Sequence, residues 1–444
     1  MKAIRLIGDT VISPGGETRV FRPGAVLAEG GRIVRVGPPE DVPENGAETI
    51  DASGCAVLPG LTIAHTHLYS VLARGMPAAG APPDSFRRIL ERVWWRWDKL
   101  LDAPSIAASA RAGLLEALHH GVTCVVDHHA SPSAVEGSLD VIAGAALEVG
   151  ARVALAYEVS DRDGEETRDT GLRENLAFAS RAGRERSPLL AAMIGAHASF
   201  TLGDRTLDLL RDATERSGRP IHMHLDEGPE DGEAARAAGD RSTLARLDRF
   251  GLVRPGALFA HGVHLDGEDR ELLARRNAFL VHNPLSNGGN AVGRADVPAL
   301  LAAGATVCLG TDGMSGDLAG EAAAAGSVHR MTTGDRSIPF DLAYRLAWEG
   351  NVRLAASLFD PAPGRLEPGA AADMVVIRYD PPTPITPENA AAHWLLGICH
   401  APVEAVFVAG ERVIEKGRAV RVDEAAVLAE ARDHARTLWK RFTA

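Results

Sequence analysis

The chain has almost no lysine. Four lysines (Lys2, Lys99, Lys416 and Lys440) leave arginine to supply 43 of the 47 positive charges, and no segment between Lys99 and Lys416 can bring a lysine to a site. Cysteine is equally scarce. Cys55, Cys124, Cys308 and Cys399 lie far apart with no CxxC, so neither a disulfide framework nor a thiolate zinc site is signalled. No run reaches the ~18 uncharged apolar residues of a membrane span. The opening MKAIRLIGDT turns polar too early for a signal-peptide core. Positive charge is in deficit, 47 against 59, for a net charge of −12, which argues against a surface built to neutralise nucleic-acid phosphates. What is present is ordinary globular composition, 45% hydrophobic and 24% charged, so wholesale disorder is excluded. A cytoplasmic protein with a core large enough to fold without staples is expected.

The ends of the chain read differently from its middle. Residues 1 to about 58 form short β-branched runs with turn signals, Gly30–Gly31 among them, and ADMVVIRYD and VEAVFVAGERVIEKG continue that pattern near the other end. Glu424 to Phe442 carries apolar residues at helical spacing. Between these ends, short apolar runs alternate with stretches long enough for helices: PGLTIAHTH, GVTCVVDHH, ARVALAYEVS, AAMIGAHAS, PIHMHLDE, ALFAHGVHL, AFLVHNP and ATVCLGTDG. Eight strand-then-helix units predict an α/β fold, a (β/α)8 TIM barrel, over residues 59–363. The two ends, 1–58 and 364–422, are expected to make one small β-sandwich domain, with 423–444 as a C-terminal helix.

In such a barrel, polar residues at the C-terminal ends of strands are the candidates for chemistry. Here those positions are rich in histidine: His65 and His67, His128 and His129, His197, His222 and His224, His261 and His282. Residues i and i+2 of a strand face the same side, so His65 and His67 project together, as do His222 and His224. Asp312, behind VCLGT, has no helix to cap and no local partner, so it calls for a cation. Three histidines and one aspartate make a hard N/O site suited to zinc or divalent iron. Catalytic sites of this kind keep one position for water, whose pKa falls to about 7. Glu227, three residues past His224, is placed to carry that water's proton, and His261 to orient water or substrate. This spacing favours His224 over His222 as ligand, with His222 behind it.

PGLTIAHTH, His224-Leu225-Asp226-Glu227, AHGVHL, VHNPLSN and LGTDG together resemble the amidohydrolase superfamily, in its cytosine/guanine deaminase and chlorohydrolase branch. GRLEPGAAADMVVI looks like the return into that family's composite β-sandwich. VWWRWD, VVDHHASP and IGAHASFT narrow the likeness to the SsnA-type aminohydrolases. The resemblance implies metal ligands His65, His67, His224 and Asp312, a proton shuttle at Glu227, a water- or substrate-orienting His261, and His197 against the substrate. It also implies that Asp312 takes a proton from the attacking water. Two-metal members bridge their ions with a carbamylated lysine on a barrel strand. No strand past the first can supply one here, so one divalent metal per chain is expected, zinc before iron. The chain departs from its branch at His282-Asn283-Pro284, where relatives often carry a cysteine before the proline.

The expected activity is deamination of a purine, pyrimidine, pterin or triazine-like heterocycle by a metal-bound hydroxide, with ammonia released. Ring-amide hydrolysis or dechlorination at the same site is the alternative, and a non-catalytic homologue the remote one. His129, Trp94 and His282 join His197 as residues expected against the substrate, and a homodimer is the expected assembly. His119 and His120 suit a helix C-terminus, His264 a surface loop, and Asp317 a helix cap. His329, His393, His400 and His434 have no strand-end context.

Overall fold

A computed structural model describes residues 2–444. Both ends of the chain enter a single nine-stranded sheet. Its order runs Arg418–Ala419, Glu411–Glu415, Val403–Val408, Met374–Arg378, Glu48–Pro59, Ile4–Ser13, Gly24–Glu29 and Arg32–Gly37, with Arg19–Phe21 paired beside Ile4–Ser13. The junction of the two ends lies where Met374–Arg378 pairs antiparallel with Cys55–Pro59. Gly30 and Gly31, at φ 59° and 81°, make the tight turn between the last two strands of that path, a conformation that side-chain-bearing residues rarely adopt.

The middle of the chain supplies eight parallel strands: β1 Leu61–His67, β2 Val122–His129, β3 Arg152–Tyr157, β4 Ile194–Ala198, β5 Ile221–Leu225, β6 Leu258–His261, β7 Phe279–His282 and β8 Thr306–Leu309. Each coincides with one of the apolar runs. All eight are buried almost throughout, as parallel strands covered on both faces must be. β1, β2 and β3 hydrogen-bond in one sheet with Leu190–Ala192 and with Asp312–Gly313, and β4 to β8 form a second. The two sheets meet at both edges. Val159, just past β3, bridges to Ala196 of β4, and Asp312, just past β8, pairs with Thr66 of β1.

Two features tie the terminal sheet to these strands. Pro59 leads directly through Gly60 into β1, and a Cβ on Gly60 would lie 2.1 Å from Thr123 Oγ1, so only glycine fits that crossing. Arg152 on β3 forms a fully buried pair with Asp373, Nη2 to Oδ1 at 2.8 Å and Nε to Oδ2 at 3.2 Å, and Asp373 Oδ1 also accepts from Ala409 N. Removing one partner of such a pair strands a charge away from water. Asp373→Ala is therefore expected to cost about 3–5 kcal/mol of unfolding free energy, read as a lower urea midpoint.

The closing helix, Glu424–Thr443, packs on Ala103–His119 and caps its own start through Asp423, which accepts from Ala425 N and Ala426 N. Asp317 likewise caps Leu318–Thr333, accepting from Gly320 N at 3.0 Å. His119 and His120 end their helix, and His264 is exposed. Among the described residues no helix is long and apolar enough to cross a membrane.

Candidate active site

The C-terminal ends of β1 and β5 and the residue just past β8 bring one group of side chains together. His65, His67, His224 and Asp312 offer ligand atoms that all lie within 4.8 Å of one another. Backbone irregularities aim them. The β1–β2 register shifts between Ile63 and Thr66, and the β4–β5 register shifts between Ala196 and Ala198. Asp312 and His261 hold φ values of 63° and 79°, a strained backbone for residues with side chains, of the kind kept at functional positions.

Hydrogen bonds fix which nitrogen of each ring faces inward. His67 Nδ1 donates to His128 O at 2.6 Å, and His224 Nδ1 donates to His197 O at 2.9 Å. Carbonyls only accept, so in the neutral rings both protons sit on Nδ1 and both Nε2 atoms are bare. Those bare acceptors face each other at 3.2 Å. His65 Nε2 and His67 Nε2 lie 3.1 and 3.2 Å from Asp312 Oδ1, while His65 Nδ1 meets His222 Nε2 at 2.8 Å. Opposed lone pairs beside a carboxylate repel unless a cation stands among them, so three nitrogens and one oxygen fit a divalent metal. Burial depresses His65 and His224 to about 4, which keeps their rings neutral and ready to ligate. His67 goes the other way: burial would lower it, but Asp312 and Glu158 outweigh burial and raise it. The site thus draws positive charge to its centre.

Around this set stand the groups that can move protons. Burial, and then the Asp312 charge, push the Glu227 carboxyl well above the carboxylate range. Asn290 Nδ2 donates to Glu227 Oε1 at 3.1 Å, and His261 Nε2 lies 3.4 Å from Glu227 Oε2. Asn287 Nδ2 donates to His261 Nδ1 at 2.9 Å, which leaves the proton of the neutral imidazole on Nε2, 3.9 Å from Asp312 Oδ1. Burial takes His261 down to about 3, so that ring is neutral. Ser286 donates to Asp312 Oδ2 and holds the carboxylate in orientation.

Above these residues opens a cavity of about 460 Å³, with Phe86, Leu90, Trp94, Trp95 and Phe200 as an apolar wall. His197 and Trp94 line it; His129 and His282 do not. The correction has a single cause, the alternation of side chains along a strand. His128 points inward and stacks on His222 at 4.3 Å, so His129 must point the other way, where it bonds Ser131 Oγ at 2.9 Å between Tyr69 and Tyr157. His282 turns toward the helix layer, 5.1 Å from the His329 ring. Trp97 is wholly buried, with Nε1 donating to Tyr69 O.

Four further charged or ionisable lining residues stand outside the strand-end histidine pattern. Glu158 follows β3 immediately and lies 3.2 Å from His67 Nδ1; burial would raise its carboxyl, but His67 holds it below the usual range. The strand-end rule could have found it. Asp98 and Arg162, 64 residues apart, pair in the cavity wall, and no sequence signal joins them. Glu321 accepts from Leu285 N at 3.1 Å, and burial pushes it up to about 8. A folded pKa above the ordinary 4.5 contributes stability that is complete below about pH 4.5 and is lost as pH rises through 8. Relative to the native chain, Glu321→Gln is expected to melt at a higher temperature at pH 9 than at pH 6, measured by thermal denaturation at both.

A constellation of three imidazoles, one carboxylate and a nearby proton-carrying glutamate, at the strand ends of a parallel α/β fold, defines a metal-dependent hydrolase. Residues 56–413 match the amidohydrolase family, and the chain belongs to it. It is 31% identical over 448 residues, 99% of this chain and 100% of the other, to a 5-methylthioadenosine/S-adenosylhomocysteine deaminase of Pelotomaculum thermopropionicum. It is 28% identical over 443 residues, covering 98% of this chain and 99% of the other, to a 5'-deoxyadenosine deaminase of Methanopyrus kandleri. The fold is shared with an adenosine deaminase from Xanthomonas campestris solved with bound zinc (TM-score 0.84, 23% identity, 98% of each chain). It is shared also with a zinc-complexed atrazine chlorohydrolase from Arthrobacter aurescens (TM-score 0.83, 22% identity, 97% of this chain and 100% of the other).

Proposed function

We propose that the chain removes the exocyclic amine of an aminated nitrogen heterocycle by hydrolysis, with an adenine nucleoside altered at its 5' position as the first candidate, and that one zinc ion per chain serves the reaction. The relatives' names point to the substrate, and the zinc-bound structures that share the fold point to the metal. The observation that carries the reading is Glu227: a buried carboxyl raised into a proton-holding range, fixed by Asn290 and His261 beside the donor set. We read the two parallel sheets, which meet at both edges, as a closed (β/α)8 barrel over 59–363. We read 1–58 and 364–422 as its β-sandwich companion and 423–444 as the C-terminal helix.

His65, His67, His224 and Asp312 would hold the metal, which when bound supplies a Lewis acid able to activate water at neutral pH. The ring lies between the apolar wall and His197, its amine-bearing carbon toward Asp312. As water adds to that carbon, Asp312 accepts its proton. Glu227 gives its proton from Oε2 to the neighbouring ring nitrogen, which balances the addition. His261 donates from Nε2 and steadies the added oxygen. Asp312 then returns its proton to the amine, the carbon–nitrogen bond breaks and ammonia leaves. The added oxygen gives its remaining proton to Glu227, so the ring becomes an oxo compound and both carboxyls regain their starting states.

The test is incubation of metal-quantified protein with a panel of 6-aminopurine nucleosides, pterins and amino-triazines, with ammonia and product mass followed together. Replacement of NH by O with equimolar ammonia is the expected result. A product that has gained a whole water instead would move the reaction to ring opening.

A further inference from the structure

The cavity is poor in free positive charge. Arg162 is the one Lys or Arg among the described residues that line it, and its side chain is 10% exposed. That guanidinium is committed twice, to Asp98 Oδ2 and, through Nε, to Asp163 Oδ2 at 3.1 Å, and it lies 5.4 Å over the Trp95 ring. On the other side, the lining carries Glu158, Asp231 and Glu321 in addition to Asp312 and Glu227. Glu158 is 3% exposed and faces His67, so the floor next to the metal ligands is itself anionic. The far wall is aromatic and aliphatic.

We propose that the site admits a heterocycle whose remaining substituent is uncharged and apolar, and turns away one that carries a carboxylate, because Arg162 is already held by Asp98 and Asp163. This rests on the deaminase reading above and adds to it a discrimination between the two substrates in the first relative's name. S-adenosylhomocysteine ends in an amino-acid carboxylate; methylthioadenosine ends in a methyl thioether. Seated in the same ring position, the amino-acid end would bring a carboxylate, with its ammonium beside it, out of water into a cavity with no free guanidinium to receive it, whereas the thioether meets Trp94, Trp95 and Phe200. Leaving a buried charge without a partner is one of the means by which a pocket rejects a ligand.

The experiment measures kcat/KM of the zinc-loaded full chain for methylthioadenosine and for S-adenosylhomocysteine, with binding of both to the Glu227→Gln protein measured by calorimetry. Methylthioadenosine is expected to be preferred by at least about 10-fold in both readouts. Equal or reversed preference overturns the inference and leaves the deaminase reading standing. Failure of both compounds to react and to bind removes the adenine-nucleoside reading and the inference with it. In Asp98→Asn, where the guanidinium loses one of its two carboxylates, the preference is expected to narrow. If the variant is folded by circular dichroism and the preference is unchanged, Arg162 is not the determinant and the stated cause is wrong.

Discussion

Glu227→Gln is expected to lower the deamination kcat by about 10²–10⁴-fold while metal content and thermal melting stay near those of the native chain. The size follows from what the substitution removes. Glutamine keeps the shape and still meets Asn290 Nδ2 through its carbonyl oxygen. It cannot hold a transferable proton, so the ring nitrogen must take one from solvent in a cavity whose walls exclude it. The position 3.4 Å from His261 Nε2 would be retained, so KM is expected to move far less than kcat. Full turnover in a folded, metal-loaded variant would remove Glu227 from the reaction.

Removal of the metal is expected to have the larger effect. A chelator should bring turnover to background and lower the melting temperature together, because an ion that binds only the folded chain stabilises it by mass action. His67→Ala and Asp312→Ala should each lose stoichiometric metal on dialysis. Each takes away one of the atoms that brings the opposed His67 and His224 Nε2 lone pairs into a shared site. His222→Ala should differ. Its Nε2 touches His65 Nδ1 at 2.8 Å and so orients a ligand without being one, and loss of such a partner costs about 10–100-fold in metal affinity. Metal titration of the three variants separates ligand from support. If all three bound metal as the native chain does, the site would be misassigned.

Much of this architecture was legible in the residues. The eight apolar runs fall on β1 to β8 because a buried parallel strand must be apolar nearly throughout, and that requirement leaves a mark in any sequence. The histidines and Asp312 stood out because strand ends are where a parallel α/β fold keeps its chemistry. Pleat parity was not legible. In Asp127-His128-His129 adjacent side chains point opposite ways, and only the packing of His128 on His222 decides which one faces inward. His282 was placed against the substrate on the same strand-end argument, yet it faces His329 and the helix layer. The Asp98–Arg162 pair joins the segment after β1 to the loop after β3, a contact that neither segment announces. The terminal runs were readable as strands, but their joining into one nine-stranded sheet depends on the register between Met374–Arg378 and Cys55–Pro59, which is set across more than 300 residues.

The central claim is that the donor set and Glu227 together replace an amine by an oxygen from water. The most direct test is the mass spectrum of the product formed by the zinc-loaded chain from methylthioadenosine in water enriched in heavy oxygen. An inosine-type product carrying one heavy oxygen, with one equivalent of ammonia, is the expected result. Unchanged substrate with a full complement of metal, or a product that retains its nitrogen and has gained a whole water, would contradict it.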